Sequence, residues 1–237
     1  MALGITQPLA AFVDNVDRNS YTASGFTPAA GSVILIFCTM TGFTGTPTIS
    51  GGSGWDITPV FETTATFNSG VSTLGLIKGV AGGSPGSFAA AIGCTGATGC
   101  MMSFFQITGA NTVTPVVQTK IKNSTTGSNP SITFDANLNT NNCYLEGIAV
   151  PANPAGVTPP SSWTESDDTG HTSPATGLET SYRINGESGA TITATRSSIN
   201  HGIIGVEIAV APTFDPATFP FPGTFQPLQE LIKMVNY

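Results

Sequence analysis

The sequence predicts an all-β protein, an antiparallel Greek-key or jelly-roll-like β-sandwich. Three observations carry this. Short apolar runs recur along the chain, each bounded by Gly, Pro, Thr, Ser or Asn, the pattern of many short strands joined by tight turns. Only 9% of the 237 residues are charged while 40% are hydrophobic, against about 25% charge in an average soluble protein. That is not the low-hydrophobicity, high-charge composition of a disordered chain. Finally, one order of features occurs twice: buried strand, tryptophan turn, strand, Gly-rich turn, closing apolar strand.

The elements follow in order. Residues 1–20 alternate weakly through Leu9, Phe12, Val13 and Val16 and read as an N-terminal arm leading to an edge strand near Tyr21 to Phe26. Thr27-Pro28-Ala29-Ala30-Gly31 is a turn, with Pro presetting φ and Gly taking the positive φ. Val33 to Thr39 is a continuous apolar run between turns, the mark of a central strand. A Gly-rich loop over 42–54 leads to a strand from Trp55 to Phe61. Val71–Val80 and Ser87–Ile92 read as a hairpin around 81–86, and Met101 to Ile107 as a second central strand. In the second pass, Cys143 to Val150 is a strand, 151–160 a Pro-rich loop before Trp163, and 165–173 a polar surface loop. Glu179–Ile184 and Thr191–Thr195 read as a hairpin around Asn185-Gly186, a strong turn signal. Gly202 to Val210 closes the sandwich. Duplication of one unit and a single two-layer Greek-key sandwich both produce this rhythm. The resulting organisation is an arm over 1–20, a sandwich over 21–211 with halves at 21–110 and 111–211, and a C-terminal arm over 212–237.

Charge and termini narrow the function. The formal net charge is −7, and the seven Lys and Arg residues are scattered. This argues against nucleic acid as a partner, since binding it needs clustered positive charge. No stretch approaches 18 apolar residues, so no membrane span is expected. Residues 1–8 show neither a basic segment nor a long apolar run, so synthesis in a cytosol is expected. The four cysteines, Cys38, Cys94, Cys100 and Cys143, lack zinc-site spacing. They read as reduced thiols acting as small apolar residues, with a Cys94–Cys100 bridge as the alternative.

Reactive chemistry is sparse, and the expectation is a protein with no catalytic residue, no cofactor and no metal. His171 and His201 are the two histidines; a catalytic histidine needs an orienting group and a nucleophile, and no G-x-S-x-G elbow is present. Glu165, Asp167 and Asp168 place three carboxylates within four residues, a calcium-like donor set, but a solvated turn is the plainer reading. Glu146 and Glu207 interrupt apolar strands and could be drawn as a glycosidase-type acid pair; residues at strand edges facing water are the plainer reading. Trp55 and Trp163 could stack sugars, but their equivalent places in the two passes favour packing.

After Val210 the character changes. Residues 211–227 hold five prolines and four phenylalanines, Phe214, Phe219, Phe221 and Phe225. Proline blocks both helix interior and sheet ladder, so an extended segment is expected. Leu228, Leu231, Ile232 and Val235 follow at i, i+3, i+4 and i+7, the spacing of a short amphipathic helix. These eight side chains are the expected partner-binding residues.

Several strings carry a family resemblance. They are the Pro-Ala-Gly-Ser turn before an apolar strand (Pro28 to Phe37), Gly54-Trp55, the strand and Gly-Gly-Ser turn from Leu76 to Ser84, and Phe104 to Val116. Trp163-Thr164, Ser181-Tyr182-Arg183 and Gly205 to Ile208 complete the set. Over about residues 20–210 the chain resembles a class of β-sandwich proteins of tailed-bacteriophage virions. The resemblance implies a non-enzymatic structural virion protein and transfers no functional residue. The expected role is capsid decoration (a cement protein) on the capsid surface. Its partners would be the major capsid protein and neighbouring copies of itself, as a homo-oligomer on the particle. A tail or fibre component and a carbohydrate-binding module are the alternatives.

Overall fold

The computed structural model describes residues 2–124, 129–196 and 199–212, and within them the chain is an antiparallel all-β sandwich. The expected C-terminal arm and helix lie outside the described residues. Two large sheets form the middle. The first has the order β1 (Gly4–Thr6), β9 (Gly99–Thr108), β4 (Val33–Thr41), β7 (Ser72–Ala81), β6 (Trp55–Phe67), with β2 (Phe12–Asp14) also on β9. The second has the order β10 (Val116–Ser124), β16 (His201–Ile208), β12 (Cys143–Val150), β14 (Ala175–Ile184), β13 (Thr164–Thr172). A small sheet of β3 (Arg18–Thr22), β8 (Ala91–Ala97) and β5 (Thr48–Ser50) accompanies the first, and a pair of β11 (Ser131–Thr133) and β15 (Thr191–Thr193) accompanies the second.

The two large sheets have the same order when matched strand for strand. The register matches too: Val33 lies between Val80 and Ile107, and Cys143 between Ile184 and Ile208. Counting from these anchors, Phe37 corresponds to Gly147, Gly75 to Glu179 and Ile77 to Ser181. The chain therefore contains two units of one topology. The first begins at β1, so the arm expected over 1–20 lies on the sandwich, supplying β1 and β2 to the edge of the first large sheet.

Three apolar clusters set the layers. Val33, Leu35, Phe37, Leu76 and Phe105 meet Leu145, Ala149, Leu178 and Val206 in the central core, so the large sheets pack face to face. The opposite face of the first sheet, with Ile34, Ile36, Met40 and Phe104, packs with Tyr21, Phe88 and Ile92 of the small sheet and its approach. The opposite face of the second sheet, with Tyr144, Ile148 and Ile203, packs with Ile132 and Ile192. Stacking is reciprocal: β6 lies against β10, and β2 against β13. Covered on both faces, β4, β12 and β16 are buried throughout, which is why β4 reads as a continuous apolar run from Val33 to Cys38 and why β12 and β16 are apolar apart from Glu146, His201 and Glu207.

Three local expectations change. Strand β7 does not form a hairpin with β8, nor β14 with β15, because each pair lies in different layers. Asn185 and Gly186 do take the positive φ that Asn-Gly favours (56° and 79°). Their amides, however, bond back to the Asn142 and Thr140 carbonyls, and the chain then crosses to the outer layer. The polar segment 165–173 is the edge strand β13 rather than a loop. The turn before Trp55 behaves as expected: Gly54 has φ +73°, and a Cβ there would collide with the backbone at Ser84 and Pro85.

Candidate functional site

Alternation along β12 sends Cys143, Leu145 and Ala149 into the central core and Tyr144, Ile148 and Val150 outward. Glu146 belongs to the outward set. It is fully buried, not facing water as the sequence reading had it. Its Oε1 accepts from Ser181 Oγ at 3.0 Å, while Oε2 has no partner. Burial pushes its carboxyl up to about 7, against the pull of the Ser181 hydrogen bond.

Beside it on the same face, β14 and β13 bring three more carboxylates together. Asp168 pairs with Glu179, and Glu165 pairs with Ser181. Oxygen atoms of Glu165, Asp168 and Glu179 lie within 4.8 Å of one another. Glu165 and Asp168 are exposed, whereas Glu179 is 0% exposed and neither of its oxygens has a hydrogen-bond partner. Burial, then the charges of Glu165, Asp168, Glu146 and Asp167, push Glu179 up to about 10. A β-bulge between Glu165 and Asp167 sets this geometry, for it turns Asp167 away from the other two. Asp167 accepts instead from Gln7 Nε2 at 2.7 Å and from Ser103 Oγ, which also pairs with Thr180 Oγ1 at 2.9 Å. The acidic trio of the sequence is thus split, and its third member is Glu179, which the sequence reading did not single out. Comparing the halves position by position would have marked it: Ile36, Gly75 and Ile77 of the first unit stand where Glu146, Glu179 and Ser181 stand in the second.

The other candidates serve packing and polar bridging. Glu207, expected to pair with Glu146 or to face water, is buried in β16 and held by Gln118 Nε2 (2.6 Å), Asn142 Nδ2 (2.7 Å) and the Asn139 amide (3.0 Å). His171, expected in an exposed loop, is buried with Nε2 3.4 Å from Thr41 Oγ1. His201 is buried at the start of β16, with Nδ1 3.2 Å from the Ile199 carbonyl. Burial lowers the basicity of both rings. Trp55 packs edge-on against Phe88, with centroids 4.9 Å apart, and Trp163 packs on the outer core while its Nε1 donates to Glu187. All four cysteines are free and buried.

One further site lies where the start and end of the described sandwich meet. Ala110 bridges to Val210, and the Ala211 amide donates to the Gly109 carbonyl. Ala2, Leu3, Ile184, Val210 and Pro212 line a hollow of about 480 Å³ there. The segment bearing Phe214, Phe219, Phe221, Phe225, Leu228, Leu231, Ile232 and Val235 follows this point and lies outside the described residues. Comparison with family models, curated proteins and solved structures finds no match to this chain.

Proposed function

We propose that this chain is a non-enzymatic structural protein of a tailed-phage virion, a capsid decoration (cement) protein. In this reading the sandwich sits on the capsid surface, and the segment after Pro212 clips onto the major capsid protein or a neighbouring copy. The observation that carries the reading is the junction at 109–110 and 209–212. It ties the root of the Phe- and Pro-bearing segment to the sandwich by paired backbone bonds, beside a hollow lined by Leu3, Ile184, Val210 and Pro212 together with Asn141 and Asn185. The inner faces of the two large sheets are occupied by packing, and this junction is a natural contact point. A buried aromatic ring stabilises a junction by roughly 1.5–3 kcal/mol, less the ordering cost of the segment, and repetition over a lattice turns weak contacts into avid ones.

Deleting residues 212–237 tests the proposal. The truncated protein should keep its sheet signal and melting behaviour and lose binding to particles. Full retention on particles would sink the clip. Immunogold labelling of whole particles separates the alternatives: label over heads supports decoration, and label confined to tails moves the role to a tail or fibre component.

A further inference from the structure

We propose that Glu165, Asp168 and Glu179 bind one calcium ion on the outer face of the second large sheet. Acidic side chains gather on many surfaces without a ligand, but Glu179 differs from its neighbours. It is 0% exposed, both its oxygens are without a partner, and it points at the oxygens of Glu165 and Asp168 within 4.8 Å. A buried, unpaired carboxylate is costly unless a proton or a cation compensates it. Among the described residues, no protein cation forms an ion pair with it. The ion pairs among the described residues are Arg18–Asp14, Lys78–Glu62, Lys120–Asp135 and Arg183–Glu187, all elsewhere. Arg196 lies beside Gly156, whose amide donates to Asp168, yet its Nη1 has no hydrogen-bond partner.

The first unit shows what this place holds when no ligand is required. Glu165, Asp168 and Glu179 correspond there to Phe61, Thr64 and Gly75. The Phe61 ring covers Gly75 so closely that a Cβ would lie 2.6 Å from its Cε1. An apolar plug therefore satisfies the fold at this position, and the second unit departs from it with three carboxylates and an unpartnered Glu146 oxygen nearby. The departure is local, since the flanking strand order and register are retained.

An all-oxygen donor set without nitrogen or sulfur selects a hard cation. Calcium accepts six to eight oxygens in irregular arrangements, whereas magnesium demands near-octahedral geometry and keeps its water. Two solvent-open carboxylates on a bulged edge strand, facing a buried one on the neighbouring strand, match the former. Glu165 and Asp168 give the ion a path in, and water completes its shell.

The test uses the full chain freed of metal with a chelator, then titrated with calcium chloride by calorimetry and followed by thermal melting. Expected is saturable binding of about one ion, with Kd on the order of 10⁻⁴ M or tighter, and a melting temperature that rises with calcium. Glu179→Gln should weaken binding by more than about 10-fold, and in chelator it should fold at least as well as the parent. Should Glu179→Gln fail to fold, the exposed changes Glu165→Gln and Asp168→Asn must each give the same loss. Asp135→Asn, away from the site, should leave binding unchanged. No heat and no melting shift at millimolar calcium would overturn the proposal, as would unchanged affinity in Glu179→Gln, or magnesium binding as tightly as calcium.

Discussion

Replacing Gly147 with alanine probes the contact on which the face-to-face packing of the two units depends. Gly147 sits mid-strand in β12, and its counterpart Phe37 sits mid-strand in β4. A Cβ at Gly147 would overlap Cδ1 of Phe37 and lie 2.7 Å from Cγ and 3.0 Å from Cε1. Phe37 cannot simply swing away, since it is 0% exposed and its ring is set edge-on to Phe105 at 6.0 Å. One added methyl must therefore be absorbed by moving a fixed ring or parting the sheets, and overpacking of this kind costs about 1–3 kcal/mol. For a chain of this size each kcal/mol lowers Tm by about 2–4 °C. Urea unfolding of Gly147→Ala, Phe37→Leu and the double variant would form a cycle. Each single change should destabilise, and the double should recover part of the loss, with a coupling of about 0.5–3 kcal/mol. A Gly147→Ala protein within about 0.5 kcal/mol of the parent, or strict additivity in the cycle, would refute the packing described.

Glu146 gives a pH prediction with a definite sign. Its folded carboxyl keeps its proton up to about pH 7, while the unfolded one loses it near pH 4.5, so the parent loses stability as pH rises through that window. Glu146→Gln should flatten this limb and be more stable at pH 7 and above by about 3 kcal/mol, measured in chelator by urea unfolding at several pH values; an unchanged slope would rule this out. The thiols give a second prediction. Cys38, Cys94, Cys100 and Cys143 are free and buried, and burial pushes Cys94 up to about 11 and Cys143 up to about 12. A colorimetric thiol reagent should therefore find no rapidly reacting group in the native protein and all four in denaturant; a count of two in denaturant without reductant would mean a bridge.

The first central strand was legible because burial on both faces writes itself as continuous hydrophobicity, as from Val33 to Cys38. Layer membership was not. Asn185-Gly186 is a local signal for reversal, and nothing local says whether the returning chain pairs with the strand it left or crosses above it. Strand β13 was hidden by polarity. Its inward residues Asp167 and His171 meet Gln7, Ser103 and Thr41 of the other unit rather than hydrocarbon, so an alternating hydrophobic pattern never arises. The acidic site was half visible. Glu165 and Asp168 stood out as neighbours in sequence, but the bulge that rejects Asp167 and the cross-strand approach of Glu179 are products of pairing.

The unequal pair at the middle of the sandwich also governs which units can recognise each other. Expressed as separate chains, two copies of the first unit would drive Phe37 against its own image, and two copies of the second would leave a hole where Gly147 faced Gly147. The combination that fills the space once is one of each. Two units of one topology thus form a lock with unlike sides, so the fragments should find each other as a heterodimer and shun self-association.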